Sequence, residues 1–266
     1  MVRVSASLVR EKVRGWPKLE EMLELLEGDE ELQDMLALCN EMVVTRLYYN
    51  DHGPTHARIV AGSALEIADI LSGAGVRFST VGQDGLTQED ARLIVMTGAY
   101  LHDIGNMVHR AYHHLIGVYL ADRVLRNLLP KVYGRGRAER RVRQEVLHSV
   151  LSHDESVHSL TVEAGIVKVA DGTDMSGGRA RVPYRHGKSD IHAFSALAIT
   201  SVELERGDPR PLRIEVNMVN EAGVFQVEEV LARKIATSGI EGLVSVRMLK
   251  SGQLLKELTE FRRRAV

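Results

Sequence analysis

The stretch Leu101 to Asn106, which reads LHDIGN, places a histidine and an aspartate side by side where an apolar run ends. The run belongs to a predicted helix, and Gly105 behind it allows the chain to turn sharply. Successive helical residues diverge by about 100°, so His102 and Asp103 cannot both face the core squarely. They can flank a metal ion beside the helix end, and the two oxygens of Asp103 could bridge two ions. A pair of residues that only caps the helix is the alternative interpretation.

The length and composition are those of an ordinary globular chain. It has 266 residues, of which 44% are hydrophobic and 26% charged, and its net charge of −2 gives no argument for nucleic acid or a membrane as partner. Cys39 is the only cysteine, so an intrachain disulfide and a cysteine-based zinc site are excluded. The first residues contain no apolar signal segment, and no apolar run is long enough to span a bilayer. These features predict a cytoplasmic protein.

The spacing of apolar residues predicts helices up to about residue 170. Pro54 suits the first position of a helix, and Pro130 is expected to end one. A loop with a short extended piece at 76–81 is predicted between residues 72 and 87. The predicted helices cover residues 19–26, 32–48, a segment from 54 onward, 88–102, 110–129, a segment ending near 153, and 161–170.

The pattern changes in the last quarter of the chain. Apolar and polar residues alternate at 199–205, 212–219 and 243–249, which predicts three strands, and 224–235 is an amphipathic helix. A charged helix is expected at the C-terminus. We therefore predict a mainly α protein with two parts, a helical domain over residues 1–195 and a small α+β domain with one mixed sheet over residues 196–266. An exposed strand edge in that sheet would allow a homodimer by sheet extension.

Histidines and aspartates recur at the ends or on the inward faces of the predicted helices. Burying so many ionisable groups without a compensating charge would be costly, and a pair of metal ions removes that cost. Imidazole and carboxylate together suit Fe, Mn, Zn, Co or Ni. A buried histidine that bonds a backbone carbonyl is the alternative for those in the middle of the chain. The candidates are His56, His102, Asp103, His113 or His114, His153 and Asp171.

The order of these residues resembles the HD-domain superfamily of metal-dependent phosphohydrolases, whose signature is H…HD…D on a bundle of helices. His56, the pair His102 and Asp103, and Asp171 within KVADGTD match the signature. The two-metal form of the family adds two histidines, which resemble His113 in HHLIG and His153 in VLSHDE. The resemblance covers residues 50–174 and implies a helical HD-domain bundle that holds two divalent transition-metal ions.

Departures from known branches narrow the resemblance. Asn106 stands where cyclic-dinucleotide phosphodiesterases usually carry a lysine, and no GYP tripeptide follows SHDE. The acidic pair of the alarmone hydrolases and the extra histidine of the deoxynucleotide triphosphohydrolases are also absent from the sequence. The resemblance is therefore to the broad group of small HD phosphatases and phosphodiesterases.

The resemblance implies hydrolysis of a phosphomonoester or phosphodiester bond in a small molecule such as a nucleotide, by a hydroxide activated between two metals that Asp103 bridges. His102, Asp103 and Lys168 are the expected catalytic residues. His52 is expected in a solvent-exposed loop, because Pro54 places the helix start after it; a substrate-side or extra metal ligand is the alternative. The glycine-rich basic segment after Asp171 offers cations for phosphate oxygens, with a plain loop as the alternative; its candidates for substrate binding are Arg179, Arg181, Arg185, His186 and Lys188.

Two other functions fit the same residues. Some HD-domain proteins with six such ligands hold two irons and use dioxygen, so an oxygenase is one alternative. The other is a metal-stabilised regulatory module, in which the C-terminal α+β part senses a ligand or forms a dimer.

Overall fold

The computed structural model describes residues 1–176 and 191–262, which form helices first and a sheet afterwards. A π-helical turn lies at Glu41–Arg46, and 3₁₀ turns lie at Gln83–Gly85, Ile104–Met107 and Glu241–Leu243. The helices are α1 (Leu8–Lys12), α2 (Pro17–Gly28), α3 (Glu30–Asn40), α4 (Pro54–Gly73), α5 (Gln88–Leu101), α6 (His113–Tyr133), α7 (Arg137–Ser152), α8 (Val162–Thr173) and α9 (Ile191–Ala198).

Helix α5 lies at the centre of the helical part. Its start is fixed by a capping box, in which the Thr87 hydroxyl accepts from the Asp90 N–H and the Asp90 carboxylate accepts from the Thr87 N–H. Every residue from Asp90 to Leu101 is buried, because α4, α7 and α8 all pack against this helix. A helix that is buried all round delivers the residues after it into the interior. The HD pair therefore emerges inside the bundle.

A glycine sets the distance between the turn after the HD pair and α6. A Cβ atom on Gly105 would lie 1.9 Å from the carbonyl oxygen of His113 and 2.7 Å from the backbone nitrogen of Gly117. Only a residue without a side chain fits such a close approach of two backbones. Gly105 thus brings the first residue of α6 beside the HD pair.

The predicted end of α6 at Pro130 is wrong, because the helix continues to Tyr133 with the proline inside it. Proline removes one helical hydrogen bond, but packing on both sides of it offsets that loss. Leu128 and Leu129 are buried before it, and the Tyr133 hydroxyl behind it donates to Asp90 at 2.6 Å.

The strands of the described residues are β1 (Val2–Arg3), β2 (Ile199–Arg206), β3 (Leu212–Met218), β4 (Val244–Lys250) and β5 (Gln253–Leu258). They form one mixed sheet in the order β1-β2-β3-β4-β5. The β3 and β4 strands pair in parallel, and the other three pairs are antiparallel. A helix of three consecutive stretches, Ala222–Gln226, Val227–Leu231 and Ala232–Ala236, connects β3 to β4 and is named the C-terminal helix here.

The C-terminus contains a strand where we expected a charged helix. Ser251 and Gly252 both have positive φ angles, of 50° and 79°, and turn the chain from β4 directly into β5. Two-residue turns of this kind suit the twist of a β-hairpin, so the Ser-Gly pair is the signal that the helical prediction overlooked. The β5 strand lies at an edge of the sheet and is largely exposed. The homodimer by sheet extension stays a prediction.

The helical and sheet parts share one hydrophobic core, which includes residues of α4, α5 and α8 together with inward-facing residues of β2, β3 and β4. The N-terminal strand β1 also joins the sheet, by pairing with β2. The division between residues 195 and 196 stays a prediction. The fold class, a mainly α chain with a small α+β part after it, is confirmed.

The extended piece predicted at 76–81 contains no strand, because this segment pairs with no other strand of the sheet. Among the described residues, no helix combines the length and the apolar character needed to cross a bilayer.

Candidate metal centre

Six buried histidine and aspartate side chains converge at one end of the helical bundle. They come from the first turn of α4, the end of α5, the start of α6, the end of α7 and the last turn of α8. Helix ends are where polar side chains reach the interior without interrupting an apolar helical face. In chain order the six are His56, His102, Asp103, His113, His153 and Asp171.

Four ligand atoms form a first subsite. His56 Nε2 lies 3.2 Å from His102 Nε2, 3.4 Å from Asp103 Oδ2 and 3.3 Å from Asp171 Oδ1. His102 Nε2 lies 3.4 Å from Asp103 Oδ2 and 3.5 Å from Asp171 Oδ1. Ligand atoms about 2.0–2.1 Å from a tetrahedrally coordinated ion are about 3.3–3.4 Å from one another. The spacing of these donor atoms therefore fits a small divalent ion between them.

Three ligand atoms form a second subsite. Asp103 Oδ1 lies 3.4 Å from His113 Nε2 and 3.6 Å from His153 Nε2, and the two ring nitrogens are 3.0 Å apart. Three protein ligands around an ion leave coordination positions open for water or substrate. Asp103 presents Oδ2 to the first subsite and Oδ1 to the second, so a single carboxylate is placed to bridge two ions.

Each of the four histidines presents its Nε2 atom to a subsite because its Nδ1 atom is hydrogen-bonded elsewhere. His56 Nδ1 donates to Asp174 Oδ2 at 2.7 Å. A carbonyl or carboxylate oxygen accepts a hydrogen bond from the protonated Nδ1, which leaves the Nε2 lone pair for a metal. The remaining three donate at 2.7–3.0 Å to the carbonyl oxygen three residues earlier, His102 to Ala99, His113 to Arg110 and His153 to Val150.

The protonation states also suit metal ligands, which are ionised carboxylates and neutral imidazoles. Burial acts to raise the pKa of both Asp103 and Asp171. The pKa of Asp103 is nevertheless held well below its usual range, chiefly by His102, and that of Asp171 chiefly by Lys234 and then by His102. Burial lowers the pKa of His113 to about 3, with help from His153. The pKa of His102 shifts in the opposite direction from that of His113: burial acts to lower it, but Asp103 and Asp171 raise it above its usual value.

Asn106 and Arg110 orient the Asp103 carboxylate. Asn106 Nδ2 donates to Asp103 Oδ1 at 2.8 Å and to the Asp103 carbonyl at 3.0 Å. Arg110 Nη1 donates to Asn106 Oδ1 at 3.3 Å and lies 3.7 Å from Asp103 Oδ1. In the sequence Asn106 stands out only as a departure from one branch of the family, and no local pattern predicts this role.

Lys234, on the C-terminal helix, is the second contributor that the sequence analysis missed. Its Nζ lies 2.7 Å from Asp171 Oδ2 and donates to the carbonyl oxygen of His153 at 2.9 Å. Lysines on amphipathic helices are ordinarily exposed, so no local pattern marks this one. Asp174 was also missed, although its place in KVADGTD, three residues after Asp171, is a signal in retrospect.

The two subsites open into a cavity of about 400 Å³. Cationic side chains from two parts of the chain line its wall, Arg110 after the HD pair and Arg233 with Lys234 on the C-terminal helix. Among the described residues, six acidic side chains line it against three basic ones, so the protein alone gives the cavity negative charge. The acidic residues are Asp103, Asp154, Glu155, Asp171, Asp174 and Glu229.

His52 corrects an expectation, because it is buried and lines this cavity instead of standing in a solvent-exposed loop. Its Nε2 lies 3.9 Å from Asp103 Oδ2. The loop is held against α3, since the His52 N–H donates to Asn40 Oδ1 at 2.7 Å. The sequence showed a break before Pro54 but gave no indication of this contact.

The remaining predicted residues are not brought to the cavity by the described structure. Lys168, expected to be catalytic, is buried in α8 and donates to the carbonyl oxygens of Val157 and Thr237 and to the Thr237 hydroxyl. It does not line the cavity in the described part of the chain. Five candidates for substrate binding lie outside the described residues, namely Arg179, Arg181, Arg185, His186 and Lys188.

Comparison with known proteins agrees with this architecture. Residues 54–176, which contain all six converging ligands, match the family model of the HD domain. The chain is 45% identical over 249 residues to the uncharacterized protein MJ1020 of Methanocaldococcus jannaschii, across 93% of this chain and 95% of the relative. No solved structure is significantly similar. The predicted resemblance is confirmed, and the chain belongs to the HD-domain superfamily of metal-dependent hydrolases.

Proposed function

We propose that this protein is a metal-dependent phosphohydrolase that cleaves a phosphomonoester or phosphodiester bond in a small molecule such as a nucleotide. The observation that carries the proposal is the position of Asp103, which turns one oxygen toward each of two histidine-containing subsites at the base of the cavity. Two-metal sites of this kind serve displacement reactions at phosphorus. The cavity, at about 400 Å³, has the size of a small-molecule site.

The charge of the cavity supports an anionic substrate only when metal is bound. Its acidic side chains outnumber the basic ones by three among the described residues, so the protein alone would repel a phosphate group. Two divalent ions carry four positive charges and would reverse that sign. Arg110 and Arg233, which both line the cavity, would then bind the non-reacting phosphoryl oxygens.

Bound divalent ions would supply Lewis-acid activation of water and neutralise charge on the phosphoryl oxygens. The protein residues divide the remaining work. The histidines and aspartates hold the ions, and Asn106 fixes the orientation of the bridging carboxylate. His52 lines the cavity with Nε2 facing Asp103, and we assign to it the transfer of a proton at the leaving-group oxygen.

The proposal is tested with a panel of phosphomonoesters, cyclic phosphodiesters and nucleotides, assayed with Mn²⁺, Ni²⁺, Co²⁺ or Fe²⁺. We expect release of phosphate or of a ring-opened monoester by the wild type, and none after chelation or in Asp103→Ala. Protein that holds two metal ions and turns over no compound of the panel would contradict the proposal. Oxygen consumption by an iron-loaded sample would then indicate the oxygenase alternative.

A further inference from the structure

We propose that Lys234 is a positioning residue of the metal centre, through which the C-terminal helix holds ligands of both subsites at once. The inference deepens the proposed function, because it rests on the metal centre that the hydrolase would use. It does not depend on the identity of the substrate. It assigns to the α+β part of the chain a direct role in the active site.

The two hydrogen bonds of Lys234 lead to different subsites. Its contact with Asp171 Oδ2, at 2.7 Å, engages the oxygen that faces away from the ligand cluster and leaves Oδ1 near His56 and His102. Its bond to the carbonyl oxygen of His153, at 2.9 Å, fixes the backbone of a residue whose ring lies in the second subsite. One ammonium group therefore links a carboxylate ligand of the first subsite to a histidine ligand of the second.

Close packing holds Lys234 in this place. A Cβ atom on Gly172, next to Asp171, would lie 2.8 Å from Leu231 Cδ1, so the glycine allows the C-terminal helix to approach α8 closely. The Lys234 side chain is only 12% exposed. Its ammonium group pairs with the Asp171 carboxylate, so the two buried charges compensate each other. A buried, charged and doubly bonded side chain has little freedom to move.

Whether metal affinity rises or falls when Lys234 is removed distinguishes a positioning residue from a neighbouring charge. A cation close to a metal site repels the metal, so removal of the charge alone would strengthen metal binding. Removal of a group that holds two ligands in place would weaken binding, because ligands that lose such support typically cost about 10–100-fold in metal affinity. The two roles therefore predict opposite changes.

Arg233 provides a matched control. It precedes Lys234 on the same helix, carries the same charge and lines the same cavity, but its side chain pairs with Glu229. We would titrate full-length wild type, Lys234→Met and Arg233→Met with Mn²⁺ alone, and count bound ions by elemental analysis. We expect Mn²⁺ to bind about 10–100-fold more weakly to Lys234→Met, and as tightly as to wild type or more tightly to Arg233→Met.

Circular dichroism would show whether each variant folds. Lys234→Gln, whose uncharged side chain is one bond shorter and would not reach both Asp171 and the His153 carbonyl as the ammonium group does, takes the place of Lys234→Met if that variant is unfolded, with the same expected loss. Mn²⁺ affinity equal to or higher than that of wild type in the folded variant would overturn the inference. Wild-type protein that binds no metal would overturn both this inference and the proposed function, whereas unchanged Mn²⁺ affinity in the variant would overturn the inference alone.

Discussion

A single type of hydrogen bond sets the direction of most of the imidazole rings in this site. His102, His113 and His153 each donate from Nδ1 to the carbonyl oxygen three residues earlier, at or near a helix end. For His102 and His153 the carbonyl belongs to the helix that the histidine follows, whereas for His113 it belongs to Arg110 in the segment before α6; in each case the local backbone selects the tautomer. His56, in the first turn of α4, donates from Nδ1 to the Asp174 carboxylate instead.

At the scale of the single residue, His52→Gln tests the assignment of proton transfer. We expect kcat to fall by about 10²–10⁴-fold, the usual contribution of a general acid or base, while the number of bound metal ions stays the same. Steady-state kinetics and elemental analysis measure the two effects. His148→Gln is the control, because His148 accepts a bond from the Leu160 N–H and does not line the cavity. A kcat within twofold of wild type in His52→Gln would refute the assignment.

Asp90 supports a prediction about pH. Burial acts to raise the pKa of this carboxyl, but bonds from Lys18, Tyr133 and Thr87 lower it below its usual value. A carboxyl whose pKa is lower in the folded state stabilises the fold above its unfolded pKa of about 3.9 and loses that contribution as the pH falls. We expect Asp90→Asn to lower the free energy of unfolding by roughly 2–4 kcal/mol at pH 7.

The difference between wild type and Asp90→Asn should be constant above about pH 5 and should shrink below about pH 4. Urea unfolding of both proteins across this range measures it. A difference that stayed constant down to pH 3 would show that the charge of Asp90 contributes nothing.

At the scale of the element, Gly105 couples the turn after the HD pair to α6. In Gly105→Ala the new methyl group would collide with the His113 carbonyl, so the turn and the helix must separate. We expect a loss of about 3 kcal/mol or more in the free energy of unfolding, together with loss of metal from the second subsite. Gly28→Ala is the control, because nothing lies within 4 Å of its Cβ position. Equal stability and metal content in both variants would contradict this role.

The elements also show why part of the fold could be predicted. Helix α5 was predicted within about one residue of its true ends, because a long apolar run marks it in the sequence. The prediction at Pro130 failed because burial of Leu128 and Leu129 outweighs the proline's effect on the backbone. The prediction for the C-terminus failed because β5 depends on pairing with β4, which residues 253–258 do not encode alone.

At the scale of the whole molecule, metal removal should destabilise the protein. Each site with free ion at 100 times its Kd contributes about 2.7 kcal/mol. In a chain of this size 1 kcal/mol corresponds to roughly 2–4 °C in Tm, so two sites should shift it by roughly 10 °C or more. Thermal unfolding with Mn²⁺ and with chelator measures the shift. Asp103→Ala removes the carboxylate that faces both subsites, so its Tm should differ very little between the two conditions. An equal Tm for the wild type in both conditions would contradict the account.

The residues of the candidate site, too, could be predicted from the sequence only in part. The six converging residues could be found from the sequence, because each is a polar residue at the end of an apolar helix and their order matches a family signature. Lys234 could not be found, because it reaches Asp171 only after the sheet and the C-terminal helix have folded back on α8. The predicted exposure of His52 was wrong because its burial depends on a contact with Asn40, at the end of α3.

The central claim is a pair of metal ions held by these six side chains. Elemental analysis of protein purified without chelator, for wild type beside His153→Ala and Asp103→Ala, tests it most directly. The account predicts two ions per wild-type chain, a reduced number in His153→Ala, and the largest loss in Asp103→Ala, since its two oxygens face different subsites. One ion per wild-type chain, unchanged in His153→Ala and lost in Asp103→Ala, would contradict the two-metal centre and leave His113 and His153 as packing residues.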